Sequence, residues 1–247
     1  MSSDSTENSP EKVAPLSPSS RAITIFLLTV IALQIIVSLV TFPLLPARVP
    51  IHWNAAGQVD GYASKWFSLI FYPLMSIGIV VLIRGLMAIS PTLDKQGQRA
   101  NLKFANIVIA GVVLLFLILQ LAATAIALHM PIDMTFVIDL AVALLFIVMG
   151  NFMGKIRRNL SGVGIRNPWT LANDTVWERT HRLGGWLFVA VGLLNVVLSF
   201  IPNVRFFGVL GGVLLIVIVT TIYSYVVYQR VVTHGNEPLS PPFNQGE

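Results

Sequence analysis

The amino-acid sequence predicts an all-α integral membrane protein: a six-transmembrane-helix bundle with a small extracytoplasmic hairpin loop. Of its 247 residues, 55% are hydrophobic and only 11% are charged, whereas soluble domains carry about a quarter charged residues. Six apolar runs each approach the roughly 20 residues that a helix needs to cross hydrocarbon. Helices are favoured because backbone N–H and C=O groups in lipid must pair within their own segment. The predicted spans are 22–45, 66–89, 104–128, 134–153, 183–201 and 206–228.

Polar tails flank a predicted membrane domain at residues 21–230. Residues 1–20 are rich in Ser and Pro and hold no apolar run, which predicts a disordered tail. A signal peptide is excluded because no basic region precedes the first apolar run. Residues 231–247 form a C-terminal tail. The absence of cysteine excludes disulfides, thiolate metal sites and thiol catalysis.

The distribution of Lys and Arg predicts the orientation. Basic residues concentrate in the N-terminal tail, the loop between spans two and three, the central loop and the C-terminal tail, while the alternate loops hold only Arg48, Lys65 and Arg205. The positive-inside rule therefore places both termini in the cytoplasm of a multi-pass plasma membrane protein. The same rule explains the net charge of +5, so we expect membrane lipid as a partner and no direct contact with nucleic acid.

The first outer loop, residues 45–66, predicts a small hairpin. Pro46 and Pro50 bias their neighbours towards extended backbone, and a turn signal at residues 54–57 precedes a possible second strand at 59–62. Trp53, Tyr62 and Trp66 suit an interfacial aromatic belt. One interpretation is a hairpin that plugs the outer mouth of the bundle; the alternative is a surface that contacts a toxin or ligand.

Residues 150–185, here called the central segment, are the longest polar interruption and hold six of the sixteen Lys and Arg residues. Lys155 and Arg158 suit contact with anionic lipid. Gly162 and Gly164 offer positive-φ turns, and Pro168 forces the residue before it out of the α region. We therefore expect an ordered turn, with Trp169 packed at the interface and Arg166 holding acidic or carbonyl partners.

A helix is predicted to begin near Thr175 and to continue into the fifth span. Thr175 and Glu178 fit a capping box. Trp177, His181 and the glycines 184 and 185 share one face, and the glycines permit close approach of another helix. Glu178 can reach His181 at i+3. His181 is interpreted as a hydrogen-bonded interfacial histidine, with a catalytic role as the alternative.

Asp139 is the acidic residue well inside a span, about 8 Å deep at 1.5 Å per residue. Such burial predicts a partner or a water-filled cavity. A metal or proton site formed with His52 and His129 is a further alternative, although the spacing matches no known ligand motif. Asn106, Gln120 and Asn195 favour hydrogen bonds between helices over a transport path.

Two stretches carry a family resemblance. The first, at 150–185, reads GN-x3-KIR-x-N-x4-GIR-x-PWTL-x4-VW-x-x-THR-x-GG, and the second, at 45–65, reads LP-x-x-VPIHWN-x2-G-x-x-DGY-x-SK. The chain resembles the SdpI-like family of bacterial membrane immunity proteins, named for a member that protects cells against a secreted sporulation-delaying toxin. The second stretch is similar to a domain of unknown function that often precedes the first.

The resemblance implies a six-helix, non-enzymatic protein without a cofactor that confers resistance to an antimicrobial peptide toxin. In the named system the protein also signals toxin presence by holding a cytoplasmic transcriptional repressor at the membrane. The family signature covers Asn151, Lys155, Arg157, Asn159, Gly164, Arg166, Pro168, Trp169, Trp177, Thr180, His181 and Arg182, to which Glu178 is added on its position. In the outer loop the matched residues include Pro50, His52, Trp53, Asn54, Gly57, Asp60 and Gly61.

Two alternatives of another class stay open. One is a membrane-embedded enzyme that acts at the inner leaflet with Glu178 and His181 as acid and base, although the sequence holds no HExxH or GxSxG motif. The other is a transporter or exporter that uses Asp139 as its coupling group. The sequence lacks the repeat symmetry that would favour a transporter.

Overall fold

The computed structural model describes residues 18–88, 95–158 and 163–234 of the chain. Six helices in these ranges are long and apolar enough to cross a membrane, which confirms the predicted fold class. The elements are α1 Pro18–Thr41, β1 Arg48–Trp53, β2 Val59–Ser64, α2 Lys65–Ala88, α3 Lys95–Ala127, α4 Met134–Met153, α5 Pro168–Ala172, α6 Asp174–Leu198 and α7 Arg205–His234.

Helix boundaries differ from the predicted spans mainly where polar turns continue a helix. The third helix begins at Lys95 rather than 104, and the last helix ends at His234 rather than 228. Hydropathy marks only the apolar part of a helix, whereas backbone hydrogen bonding continues into polar turns beyond the hydrocarbon. The first helix ends at Thr41, shortly before Pro43, and Pro18–Ser20 of the predicted tail are already helical. Residues 1–17 and 235–247 lie outside the described ranges.

The helices pack as two groups of three. One group is formed by α1, α2 and α3, the other by α4, α6 and α7, and α3 contacts α4 between them. The predicted interhelical bond of Gln120 is confirmed: its side chain donates to the Gln34 carbonyl at 2.8 Å and to the Ser38 hydroxyl at 2.9 Å. The expectation for Asn195 is not met, because its amide donates to Val191 of its own helix.

The predicted hairpin is present as the antiparallel pair β1–β2. Its turn is built by Asn54, whose side-chain oxygen accepts from the backbone N–H groups of Ala56 and Gln58, and by Gly57 at φ 79°. Val49 is buried against Ala127 at the end of α3. The hairpin therefore covers one end of the bundle, here called the hairpin end; the opposite end, where α4 finishes and α6 begins, carries the central segment.

Candidate functional site

The central segment rests on a close contact between α4 and α6. A Cβ on Gly185 would lie 2.7 Å from the Gly150 carbonyl oxygen, and one on Gly192 would lie 2.8 Å from that of Ala143. Non-bonded carbon and oxygen atoms do not approach each other this closely, so only glycine fits at these two positions. The predicted close approach at Gly185 is confirmed, and it fixes α6 against the end of α4 where the central segment begins.

The interior of the central segment is a stacked pair of fully buried rings, Trp177 and His181, with centroids 4.0 Å apart. The Trp177 indole N–H donates to the Ile156 carbonyl at 3.0 Å. His181 donates from Nδ1 to the Trp177 carbonyl and accepts at Nε2 from the Ile165 N–H, both at 2.8 Å. Both nitrogens of the imidazole are therefore occupied by backbone groups, and the ring ties the loop to α6.

Gly164 lies directly against these rings. Its φ is 137°, and a Cβ there would lie 2.7 Å from His181 Nε2 and 2.9 Å from the Trp177 ring. The predicted positive-φ turn is confirmed at this residue, whereas Gly162 lies outside the described residues. The glycine is needed twice over, since a side chain would strain the backbone and would displace the histidine from the Ile165 N–H.

The predicted capping box at Thr175 and Glu178 is wrong. The N-cap of α6 is Asn173, whose side chain accepts from the N–H groups of Thr175 and Val176. Glu178 instead binds Arg157, and neither nitrogen of His181 is available to it. A capping box does exist one short helix earlier, where Asn167 caps α5 and Thr170 bonds back to it. The error arose because a buried asparagine two residues upstream competes more effectively for the same N–H groups.

The predicted ordered turn is present and continues into α5, which docks on α7. Asn167 is extended, at φ −139° and ψ 170°, ahead of Pro168. Its amide donates to the Ser224 hydroxyl at 2.8 Å, and Trp169 packs edge-on against Tyr225 with ring centroids 5.2 Å apart. The central segment is thereby attached to a second helix of the same group.

Asn101 is an anchor that the sequence analysis did not identify. Its side chain is fully buried, accepts from the Arg157 N–H at 2.8 Å and donates to the Arg157 carbonyl at 3.1 Å. Asn101 thereby provides hydrogen-bond partners for the backbone of Arg157, which belongs to no helix or strand. Its position in the polar run QGQRANLK made it resemble a solvated residue.

Ion pairs and a cavity form the surface of the central segment. Arg158, interpreted as a lipid contact, is only 18% exposed and instead binds Asp174 at 2.6 Å and the Leu171 carbonyl at 2.8 Å. A cavity of about 330 Å³ lies beside the Arg157–Glu178 pair. Its lining residues are Gly154, Lys155, Ile156, Arg157, Glu178 and Arg182.

The other signature residues divide between interior and surface. Thr180 is fully buried, whereas Asn151 and Arg166 are exposed. Asn159 lies outside the described residues. The structure thus brings Lys155, Arg157, Glu178 and Arg182 together around one cavity and leaves Asn151 and Arg166 outside it. A binding role for these residues remains a prediction.

At the hairpin end, two ion pairs organise the surface. His52 and Asp60 pair across the hairpin at 2.5 Å, and Arg205 at the start of α7 pairs with Asp133 at the start of α4. Partial burial acts to raise the pKa of Asp133, but hydrogen bonds from Thr135, Arg205 and the Phe136 N–H, with the Arg205 charge, lower it below its usual value. Gly57 of the hairpin turn lies against Thr135, so the hairpin contacts this pair.

Asp139 is 5% exposed, and its Oδ2 has no hydrogen-bond partner in the described ranges. The antiparallel register of α4 and α6 places it one turn beyond the Ala143–Gly192 contact, at the level of Asn195, whose Oδ1 is also buried without a partner. The metal alternative has no support, because His52 pairs with Asp60 and the described residues contain no group of three metal-binding side chains.

Comparison with known proteins finds two family models that match separate parts of the chain. Residues 155–224 match the SdpI/YfhL protein family, and residues 29–77 match the domain of unknown function DUF1648. The chain is 28% identical over 203 residues to Immunity protein SdpI of Bacillus subtilis (strain 168), which covers 82% of this chain and 94% of that protein. The resemblance to the SdpI-like family is confirmed. No solved structure matches the chain.

The two matched regions correspond to the two ends of the bundle described above. The SdpI/YfhL region begins at Lys155 in the cavity and includes the buried rings and the α5 turn. The DUF1648 region includes the whole hairpin and just over half of each of α1 and α2. In this multi-pass membrane protein the central segment from Lys155 onward therefore lies in the SdpI/YfhL match, and the hairpin lies in the DUF1648 match.

Proposed function

We propose that this chain is a membrane immunity protein that protects its cell against an antimicrobial peptide toxin. The observation that carries the proposal is the likeness to Immunity protein SdpI over 94% of that protein's length. The match extends over 203 residues, or 82% of this chain. The function is non-enzymatic, because resistance requires only binding or a change of membrane state.

Orientation is part of the proposal. Both termini and the central segment lie on the cytoplasmic side, and the hairpin lies outside. The excess of Lys and Arg in the segments assigned to the cytoplasm supports this arrangement. A toxin arriving from outside would then meet the hairpin first.

The hairpin end offers a surface suited to an amphipathic peptide. Ile51 and Tyr62, one on each strand, are 40% and 53% exposed, and Trp66, in the first turn of α2, is 61% exposed. Ile51 is next to His52 in β1 and Tyr62 is two residues from Asp60 in β2, so both strand residues are near the charged His52–Asp60 pair. Aromatic and aliphatic side chains on a rigid strand pair provide contact area with little loss of conformational entropy. We infer that this surface contacts the toxin.

The central segment would relay the toxin signal to a cytoplasmic repressor. A relay requires two packings of the bundle that bind the toxin unequally. The α4–α6 contact connects the two ends, since it extends from the central segment at Gly150 to the level of Asp139. The exposed Arg157–Glu178 surface is where a soluble partner would dock.

Expression in Bacillus subtilis lacking its own Immunity protein SdpI tests the proposal. Cells with the chain should survive a challenge with the sporulation-delaying toxin, and cells with an empty vector should not. Membrane abundance of the chain is measured in parallel. If cells with the chain survived no better than cells with the empty vector, although the chain reached normal membrane abundance, an immunity function against this toxin would be excluded.

A transporter is the second candidate, favoured by the buried and unpartnered Oδ2 of Asp139. Such groups inside a membrane frequently mark ion or proton paths. If Asp139→Asn abolished protection, and protection also required a proton gradient, transport would replace toxin contact as the mechanism. The enzymatic alternative is disfavoured, because Glu178 binds Arg157 and His181 binds two backbone groups.

A further inference from the structure

We propose that the cavity formed by Lys155, Arg157 and Arg182 binds the phosphate group of an anionic phospholipid. The cavity has a volume of about 330 Å³, at the lower end of the range of about 300–1,000 Å³ that ligand pockets span. It lies where α4 ends and beside the first turns of α6. The inference does not depend on the immunity function.

The charge of the cavity favours an anion. Three basic side chains and one carboxylate line it. Glu178 is occupied by Arg157, whereas Lys155 and Arg182 form no ion pair with any residue in the described ranges. The cavity therefore carries two uncompensated positive charges, on side chains contributed by two different elements.

The depth of the cavity matches the head-group layer. Helix α4 has 20 residues, which corresponds to about 30 Å at 1.5 Å per residue and thus to the whole hydrocarbon thickness. Gly154 and Lys155 follow it directly and so emerge among the head groups. Trp186, one turn deeper on α6 than Arg182, is 73% exposed, and exposed tryptophans favour this interface.

Arg182, which lines the cavity, also begins an exposed apolar face of α6, and this arrangement favours a phospholipid over free phosphate. Arg182 and Trp186 share a face of α6 at i and i+4. Leu193 and Val197, 55% and 62% exposed, continue that face towards the hairpin end. A lipid phosphate at Arg182 would leave its acyl chains along this apolar stripe, whereas free phosphate would use only the charges.

Native mass spectrometry of the full chain in detergent tests the inference. The protein is titrated with phosphatidylglycerol, phosphatidylcholine or inorganic phosphate, and bound molecules are counted. We expect preferential binding of phosphatidylglycerol, and about fivefold weaker binding in Arg182→Gln and in Lys155→Gln, as about 1 kcal/mol per basic side chain near a membrane surface implies. Arg182→Lys should restore most of the binding.

Arg179→Gln is the matched control, because Arg179 is exposed on the same helix but does not line the cavity. It should bind phosphatidylglycerol as the unmodified chain does. Equal binding of the two lipids, or equal weakening by Arg179→Gln and Arg182→Gln, would overturn the inference. Binding of inorganic phosphate without preference for phosphatidylglycerol would overturn it as well. Circular dichroism spectra confirm that each variant is folded.

Discussion

Asn101 on α3 pairs with the backbone of Arg157 through both atoms of its amide, at 2.8 and 3.1 Å. This contact joins the first group of helices to the central segment, as does Phe104 of α3, which packs in one buried cluster with Ile156 and Trp177. Arg157 is also the residue that binds Glu178 beside the cavity. The position of the cavity wall is therefore determined in part by a residue 56 positions earlier in the chain.

Replacement of Asn101 by Ala should destabilise the protein. It leaves the Arg157 N–H and carbonyl without their partner, and a buried polar group left unsatisfied costs about 1–3 kcal/mol. Thermal unfolding in detergent should show a lower midpoint. Asn106→Ala is the control, because Asn106 lies on the same helix and is only partly buried. Equal midpoints for the two variants would show that the amide pairing contributes nothing.

The α4–α6 contact should not tolerate a methyl group at Gly185. Gly185→Ala places a Cβ 2.7 Å from the Gly150 carbonyl oxygen, and overpacking of this kind costs about 1–3 kcal/mol. Gly211→Ala provides the comparison, since a Cβ there meets nothing within 4 Å. We expect a lower unfolding temperature for the first variant and an unchanged or higher one for the second. A stable Gly185→Ala protein would contradict the packing described.

The imidazole of His181 should act as a structural link. His181→Phe retains an aromatic ring against Trp177 but leaves the Ile165 N–H without its acceptor, at a cost of about 1–3 kcal/mol. Arg179→Ala, an exposed change two residues away, should stay within about 0.5 kcal/mol. Unfolding temperature and protease resistance of the loop measure the difference. If His181→Phe kept full stability but lost protection, a functional role would be favoured instead.

Acid should weaken the hairpin end through Asp133. Its pKa is lowered in the folded protein, so the pair with Arg205 contributes stability above the unfolded pKa of Asp, and this contribution is lost as pH falls through the lower folded value. Unfolding temperatures measured from pH 6 down to pH 3 should decline less steeply for Asp133→Asn than for the unmodified chain. Parallel declines would show that Asp133 is not the group concerned.

Sequence patterns predicted the features that depend on composition and local chemistry. The six spans follow from hydropathy, and the hairpin follows from two prolines ahead of the turn residues Asn54–Gly57. The bend at Gly164 follows from the glycines and Pro168 in the same stretch. Hydropathy also placed α4 at its observed bounds, because Asp133 and Gly154 end the apolar run sharply.

Features that depend on distant partners were missed or assigned wrongly. Glu178 pairs with a residue 21 positions away rather than with its helical neighbours, and Arg158 pairs with Asp174 rather than with lipid. The spacing of residues along a helix indicates which near neighbours can interact. It does not indicate which loop folds back onto that helix. Asn101 was overlooked for the same reason, since its partner lies on another element.

We propose that the exposed face of the hairpin, around Tyr62, receives the toxin. The direct measurement is the toxin dose that halves survival of B. subtilis cells that lack their own Immunity protein SdpI. Cells producing the unmodified chain, Tyr62→Ala or Met130→Ala are compared. Met130 is 55% exposed at the same end of the bundle but outside the hairpin. At equal membrane abundance, we predict that this dose is lower for Tyr62→Ala than for the unmodified chain, and that it is unchanged for Met130→Ala. Full protection by Tyr62→Ala would contradict the account.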